Sequence, residues 1–203
     1  MRARESDKDG MVVRQGVEVA YEIFGEEHDA SVLLLPAWSI VHSRLWKAQI
    51  PVLARHYQVI TFDGRGNGGS GRPSGADAYL PDEYVADALA VLDAASVERA
   101  AIAGVSFGGY LALLLAARHP ERVAGACFIS AAVAFPKEGL PPGLLADFEI
   151  DQDTYTGWEQ HNRHAWRRDY PRFLEFFFSE SFPEPHSTKQ REEIGRASCR
   201  ERV

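Results

Sequence analysis

A chain of 203 residues with a formal charge of −7, 45% apolar residues and no Lys/Arg-rich run is long enough to bury a sizeable core. It offers no cationic surface for nucleic acid or for an anionic membrane. Two cysteines, Cys127 and Cys199, are too few for a disulfide framework, which fits a reducing compartment and a cytoplasmic location.

The first ten residues, MRARESDKDG, are polar with no apolar run behind them. They read as a disordered leader over 1–10 rather than a secretory signal or membrane anchor. Residues 17–24 (VEVAYEIF) alternate apolar and polar, which predicts a half-buried strand, with 11–14 as its hairpin partner across Gln15-Gly16. The continuous apolar run 31–35 predicts a strand covered on both faces. Pro36-Ala37-Trp38-Ser39 follows, then a predicted helix over 43–55 with Leu45, Trp46, Ile50, Leu53 and Ala54 as its apolar stripe. A further buried strand, 57–62 (YQVITF), runs into the glycine-rich stretch 63–71 (DGRGNGGSG). That stretch is neither a GxGxxG before a helix nor a GxxxxGK[ST], so a tight glycine turn is expected there rather than a nucleotide cradle.

Residues 81–95 predict a helix opened by Pro81, Asp82 and Glu83, as the helix dipole prefers, with an apolar face of Tyr84, Val85, Ala88, Leu89, Val91 and Leu92. Next comes the most informative stretch of the chain. The apolar run 101–105 meets Gly104-Val105-Ser106-Phe107-Gly108, and a Leu/Ala-rich helical run follows to His119. Strand, sharp turn and helix place a serine at the apex. The turn forces Ser106 into a strained backbone that lifts its hydroxyl clear of the sheet, and Gly104 and Gly108 let neighbouring backbone pass. The helix behind it aims free N–H groups and a positive dipole end at the same point, so an oxyanion forming there meets a donor such as the Phe107 amide.

Residues 123–130 (VAGACFIS) predict another buried strand, with Cys127 as a buried thiol. Strands alternating with helices in this rhythm imply a mostly parallel, doubly wound α/β sheet. Beyond residue 134 no strand-like run appears, yet 11 of the 22 aromatic residues fall between 134 and 193. Residues 157–169 and 171–182 predict two short helices with aromatic faces, part of a cap over 135–193. The last ten residues, IGRASCRERV, match nothing before them and resemble a translated sequencing adapter. They are therefore set aside from the fold.

Three motifs give the chain a resemblance to the α/β-hydrolase fold superfamily, of the cap-bearing serine hydrolase kind. They are the elbow Gly104-Val105-Ser106-Phe107-Gly108-Gly109, the loop Asp63-Gly64-Arg65-Gly66-Asn67-Gly68 with Ser70, and the segment Pro36-Ala37-Trp38 after the first inner strand. The resemblance covers residues 12 to about 134 well, within an expected core domain of 11–134, and implies that Ser106 is the nucleophile and that the amides of Phe107 and Trp38 form the oxyanion hole. Two positions depart from the family pattern. Asn67 stands where a His or aromatic is common, and Ala37 stands where the family usually has Gly, which restricts the loop carrying Trp38. The family order of Ser, then Asp or Glu, then His implies a triad acid and base on later strands. The chain is thus expected to be an inactive fragment of an active parent, lacking the last strands and helix, with the 123–130 strand left at an unpaired edge that invites aggregation.

None of the seven histidines sits where that base would be. His28, His56 and His119 read as structural, His161, His164 and His186 as solvated positions of the cap, and His42 as a candidate pocket residue. Asp147, Glu149 and Asp151 read as a solvated acidic face. The implied activity is hydrolysis of an ester, amide or similar carbonyl in a small apolar substrate, with no cofactor, no metal, no nucleic acid and no membrane. Alternatives on the same fold are a cofactor-free peroxidase, a carbon–carbon bond hydrolase, and a ligand-binding or regulatory module without catalysis.

Overall fold

The computed structural model describes residues 4–38, 40–133, 148–186, 188 and 191. The chain forms two compact units, residues 1–133 and 134–203.

The first unit is built on a six-stranded sheet in the order β1-β2-β4-β3-β5-β6. β1 (Lys8–Arg14) and β2 (Val17–Phe24) form an antiparallel hairpin whose turn residues Gln15 and Gly16 take φ of 52° and 80°. β2 also runs antiparallel to β4 (Gln58–Phe62). β3 (Ser31–Leu34) lies parallel to both β4 and β5 (Ala100–Val105), and β5 is parallel to β6 (Val123–Ile129). The doubly wound α/β sheet is therefore present, with an antiparallel hairpin at one edge.

β1 begins at Lys8, inside the expected disordered leader, and its register carries Lys8 to Ile23. Asp7 adds a backbone bond to the Ile23 carbonyl (2.9 Å), and its carboxylate accepts the Gly25 amide. Charged residues are tolerated there because an edge strand keeps one side in water, so composition concealed the strand.

Alternation along the inner strands feeds two cores. One face carries Leu33, Ile60, Phe62 and Ile102, packed with α2 (Pro81–Ala94) and α3 (Phe107–Arg118) through Val85, Ala88, Leu92, Leu111 and Leu115. The other face carries Val32, Leu34 and Val59 against Phe24, Trp46 and Ile50. The helix expected over 43–55 is instead a 3₁₀ turn (Ser43–Trp46) followed by the short α1 (Ile50–Leu53). Pro51 sits in the first turn of α1, where a ring without an N–H starts a helix more easily than it continues one.

β6 has the edge position expected of it but differs in burial. It lies at the sheet edge with residues 124–129 exposed, Phe128 and Ile129 among them, and Cys127 is exposed rather than buried. An apolar strand is buried only if neighbours cover it, and in the described residues β6 pairs with β5 alone.

In the second unit a 3₁₀ turn (Gly157–Gln160) is closed by a reciprocal cap between Thr156 and Glu159. α4 (Arg163–Ser181) starts at Asn162, whose side chain accepts the His164 and Ala165 amides (2.7 and 3.2 Å). The two helices expected here are joined in one element with a break at Asp169 (φ −157°, ψ 80°). The Asp169 carboxylate caps the second half by accepting the Arg172 amide (3.1 Å), while Pro171 has no N–H to offer the first half. Aromatic rings pack together within the unit, Trp166 tilted against Phe173 at 4.9 Å and Trp158 edge-on to Phe176 at 5.3 Å. Residues 134–147 and the tail 194–203 lie outside the described residues.

Candidate active site

Ser106 sits between the end of β5 and the start of α3 with φ 56° and ψ −119°, and its side chain is exposed. No ordinary well of an L-residue lies there, and such strain costs about 1–3 kcal/mol. The surrounding backbone holds it in place. The Ser106 amide donates to the Ile129 carbonyl (2.9 Å), and the Ser106 carbonyl accepts the Ala132 amide (2.9 Å) and the Tyr110 amide (3.2 Å). The chain leaving β6 therefore clamps the serine from both sides, a contribution the sequence does not reveal.

The glycines around the serine are needed for space. A Cβ on Gly104 would overlap the Gly108 carbonyl, and one on Gly108 would lie 2.7 Å from the Pro36 oxygen. The first intrahelical bond of α3 is the one Tyr110 makes, so the amides of Phe107, Gly108 and Gly109 precede the ladder and carry the positive end of the helix. The Phe107 ring packs edge-on against Tyr84 at 5.2 Å, and the Tyr84 hydroxyl donates to the Arg65 carbonyl (3.2 Å). Burial pushes the Tyr84 phenol well above its ordinary pKa, so it remains a donor throughout the working range.

The contact between Gly108 and Pro36 brings the Pro36-Ala37-Trp38 segment against the elbow. Leu35, just before it, donates to the Ala103 carbonyl (2.9 Å), which ties the end of β3 to β5. Ala37 is buried and is not among the residues with positive φ, so the alanine imposes no left-handed strain on the loop. Trp38 forms a bridge with Val41, whose amide donates to the Trp38 carbonyl (3.1 Å).

The glycine-rich loop is a brace. Asp63 accepts the Ser43 amide (2.8 Å) and the Gly69 amide (2.9 Å). Ser70 donates to the Asp63 carbonyl (2.7 Å) and accepts the Ala20 amide (2.9 Å). Arg65, 2% exposed, makes a bidentate pair with the fully buried Asp87 (2.6 and 2.8 Å) and donates to the Ala78 carbonyl. Arg14 adds a second cation to Asp87 (2.7 Å) and bonds Glu83. Buried Asn67 donates its side-chain amide to the carbonyls of Trp38 (3.0 Å) and Val41 (3.2 Å). The sequence marked Asn67 as a departure from the family pattern and missed this role, whose partners lie 29 and 26 positions away.

The histidines of the first unit have other engagements. His42 caps the 3₁₀ turn by accepting the Arg44 amide (3.2 Å), His28 and His119 flank Glu27 and Glu121 at 3.6 Å, and His56 packs edge-on to Tyr57. In the second unit His161 lies in the ring cluster with Trp166, and His164 lies beside Asp151 (3.6 Å). Among the described residues no three His, Cys, Asp or Glu are grouped to hold a metal ion, and no helix is long and apolar enough to cross a membrane.

Comparison with known proteins agrees with this geometry. The family model described as alpha/beta hydrolase fold matches residues 31–189. The 2-hydroxymuconate semialdehyde hydrolase of Pseudomonas sp. (strain CF600) is 47% identical over 97 residues, which are 47% of this chain and 34% of that protein. The putative carbamate hydrolase RutD of Azorhizobium caulinodans is 40% identical over 106 residues, 52% of this chain and 38% of that one. The solved structure "Est816 as an N-Acyl homoserine lactone degrading enzyme" superposes with a TM-score of 0.69 at 29% identity, covering 92% of this chain and 62% of that chain. The matched stretch thus spans little more than a third of the two curated relatives. Elbow, sheet order and family match converge, and the chain belongs to the alpha/beta hydrolase fold family.

Proposed function

We propose that the protein containing this chain is a serine hydrolase that cleaves an ester, amide or similar carbonyl of a small apolar substrate, with Ser106 as nucleophile. The observation that carries this reading is the strained, exposed, doubly clamped Ser106 at the N-terminus of α3. Ser106 Oγ bonds to the carbonyl carbon, its proton passes to a general base, and the carbonyl π pair moves onto oxygen. The amides of Phe107 and Trp38 meet that oxyanion. The base and its orienting carboxylate belong, on the family pattern, to later strands. The aromatic-rich composition of residues 134–193 favours an apolar substrate, and the protein is read as acting in the cytoplasm without a cofactor.

In the complete gene product, Ser106→Ala is expected to reduce p-nitrophenyl ester turnover by at least about 10³-fold with the fold intact by circular dichroism. Retained turnover in that variant would sink the assignment. The name of the Pseudomonas relative favours one second reading, a carbon–carbon bond hydrolase using the same serine. Product analysis on diketone substrates separates the two.

A further inference from the structure

We infer that Asn67 is a positioning residue that sets the direction of the Trp38 amide, an inference that rests on the serine-hydrolase reading above. Its side chain is 2% exposed and places one nitrogen between two carbonyls, those of Trp38 (3.0 Å) and Val41 (3.2 Å). Carbonyls only accept, so the amide nitrogen must be the atom between them and the orientation of the side chain is unambiguous.

The Trp38 segment is held from both ends. On the N-terminal side Leu35 is tied to Ala103, and the Pro36 carbonyl lies against Gly108 in the first turn of α3. On the C-terminal side the Trp38–Val41 bridge is closed by the Val41 amide and crossed by Asn67. Between these two anchors lie Ala37 and the Trp38 amide, so the grip on the Trp38 carbonyl bears on where the Trp38 N–H points.

Asn67 is in turn anchored. Its amide donates to the Gly64 carbonyl (3.0 Å), and the Ser70 amide donates to the Asn67 carbonyl (2.9 Å). The neighbouring Arg65 is locked on Asp87. The position that departs from the family pattern therefore links the buried charge cluster to the loop carrying the second oxyanion donor.

Asn67→Asp is isosteric, but it replaces the donor with an acceptor that repels both carbonyls; Asn67→Ala removes the donor without adding charge. In the complete gene product, both are expected to lower kcat for p-nitrophenyl butyrate by about 10-fold to 100-fold while KM stays within about twofold, because a misaligned donor weakens the transition state and not ground-state binding. Asn67→Asp should be the worse of the two. An unchanged kcat in folded variants overturns the inference. A loss carried by KM overturns it too, as does failure of both variants to fold, which would assign Asn67 to stability. Ser106→Ala is measured alongside. If it retains turnover, the serine reading itself has failed, and if it alone loses turnover, only the role of Asn67 has failed.

Discussion

At Ser106 the backbone strain and the proposed chemistry have the same source. A glycine there would relieve about 1–3 kcal/mol of strain and give back about 0.4–1 kcal/mol through the greater freedom of the unfolded chain. The relief outweighs that loss, so Ser106→Gly is expected to raise stability by about 1 kcal/mol in urea melts while abolishing turnover. A destabilised glycine variant would mean that the serine side chain itself contributes to the fold. The elbow was legible from five residues because part of the requirement is local: Gly104 must lack a Cβ to pass the Gly108 carbonyl within the same turn, whereas Gly108 owes its space to the distant Pro36 carbonyl. Asn67 was not, because nothing near it in sequence announces partners on the loop after β3.

At the scale of elements, the loop after β4 is tied to α2 and β1 by four charged side chains, Arg14, Arg65, Glu83 and Asp87. Removing one member of a buried pair strands the other, which is why such clusters resist change. Glu83 gives this cluster a pH dependence. The Arg14 hydrogen bond, opposed by partial burial, holds its carboxyl below the ordinary value of 4.5. A lowered folded-state pKa contributes stability that is complete above 4.5 and is lost as pH falls through the folded value. Glu83→Gln is therefore expected to be less stable than the parent by about 1 kcal/mol at pH 7, with the gap closing on acidification below about 4.5, read from urea melts across pH. A gap independent of pH would place the effect in packing and not in charge.

At the scale of the whole chain, the feature with the clearest consequence in solution is the apolar edge that β6 presents among the described residues. Phe128 and Ile129 are 47% and 41% exposed on a strand paired on one side only among the described residues. Such an edge is a template for association. In the chain of 203 residues, Phe128→Lys is expected to reduce light scattering at a given concentration without changing the circular dichroism spectrum, since a lysine stem covers the strand while its charge stays in water. Scattering that is unchanged would direct attention to the aromatic second unit.

By itself the sequence determined what depends on neighbours along the chain: the alternating strands, the start of α2 at Pro81, the elbow and its glycines, and through them the fold family. Only the tertiary structure decided that Lys8–Arg14 is a full edge strand, that Cys127 is exposed, that His42 is a cap, and that Asn67 grips the Trp38 loop. The physical reason is range. Backbone stereochemistry and hydrophobic period act over a few residues, whereas burial and the pairing of polar groups depend on which distant segment the fold lays alongside.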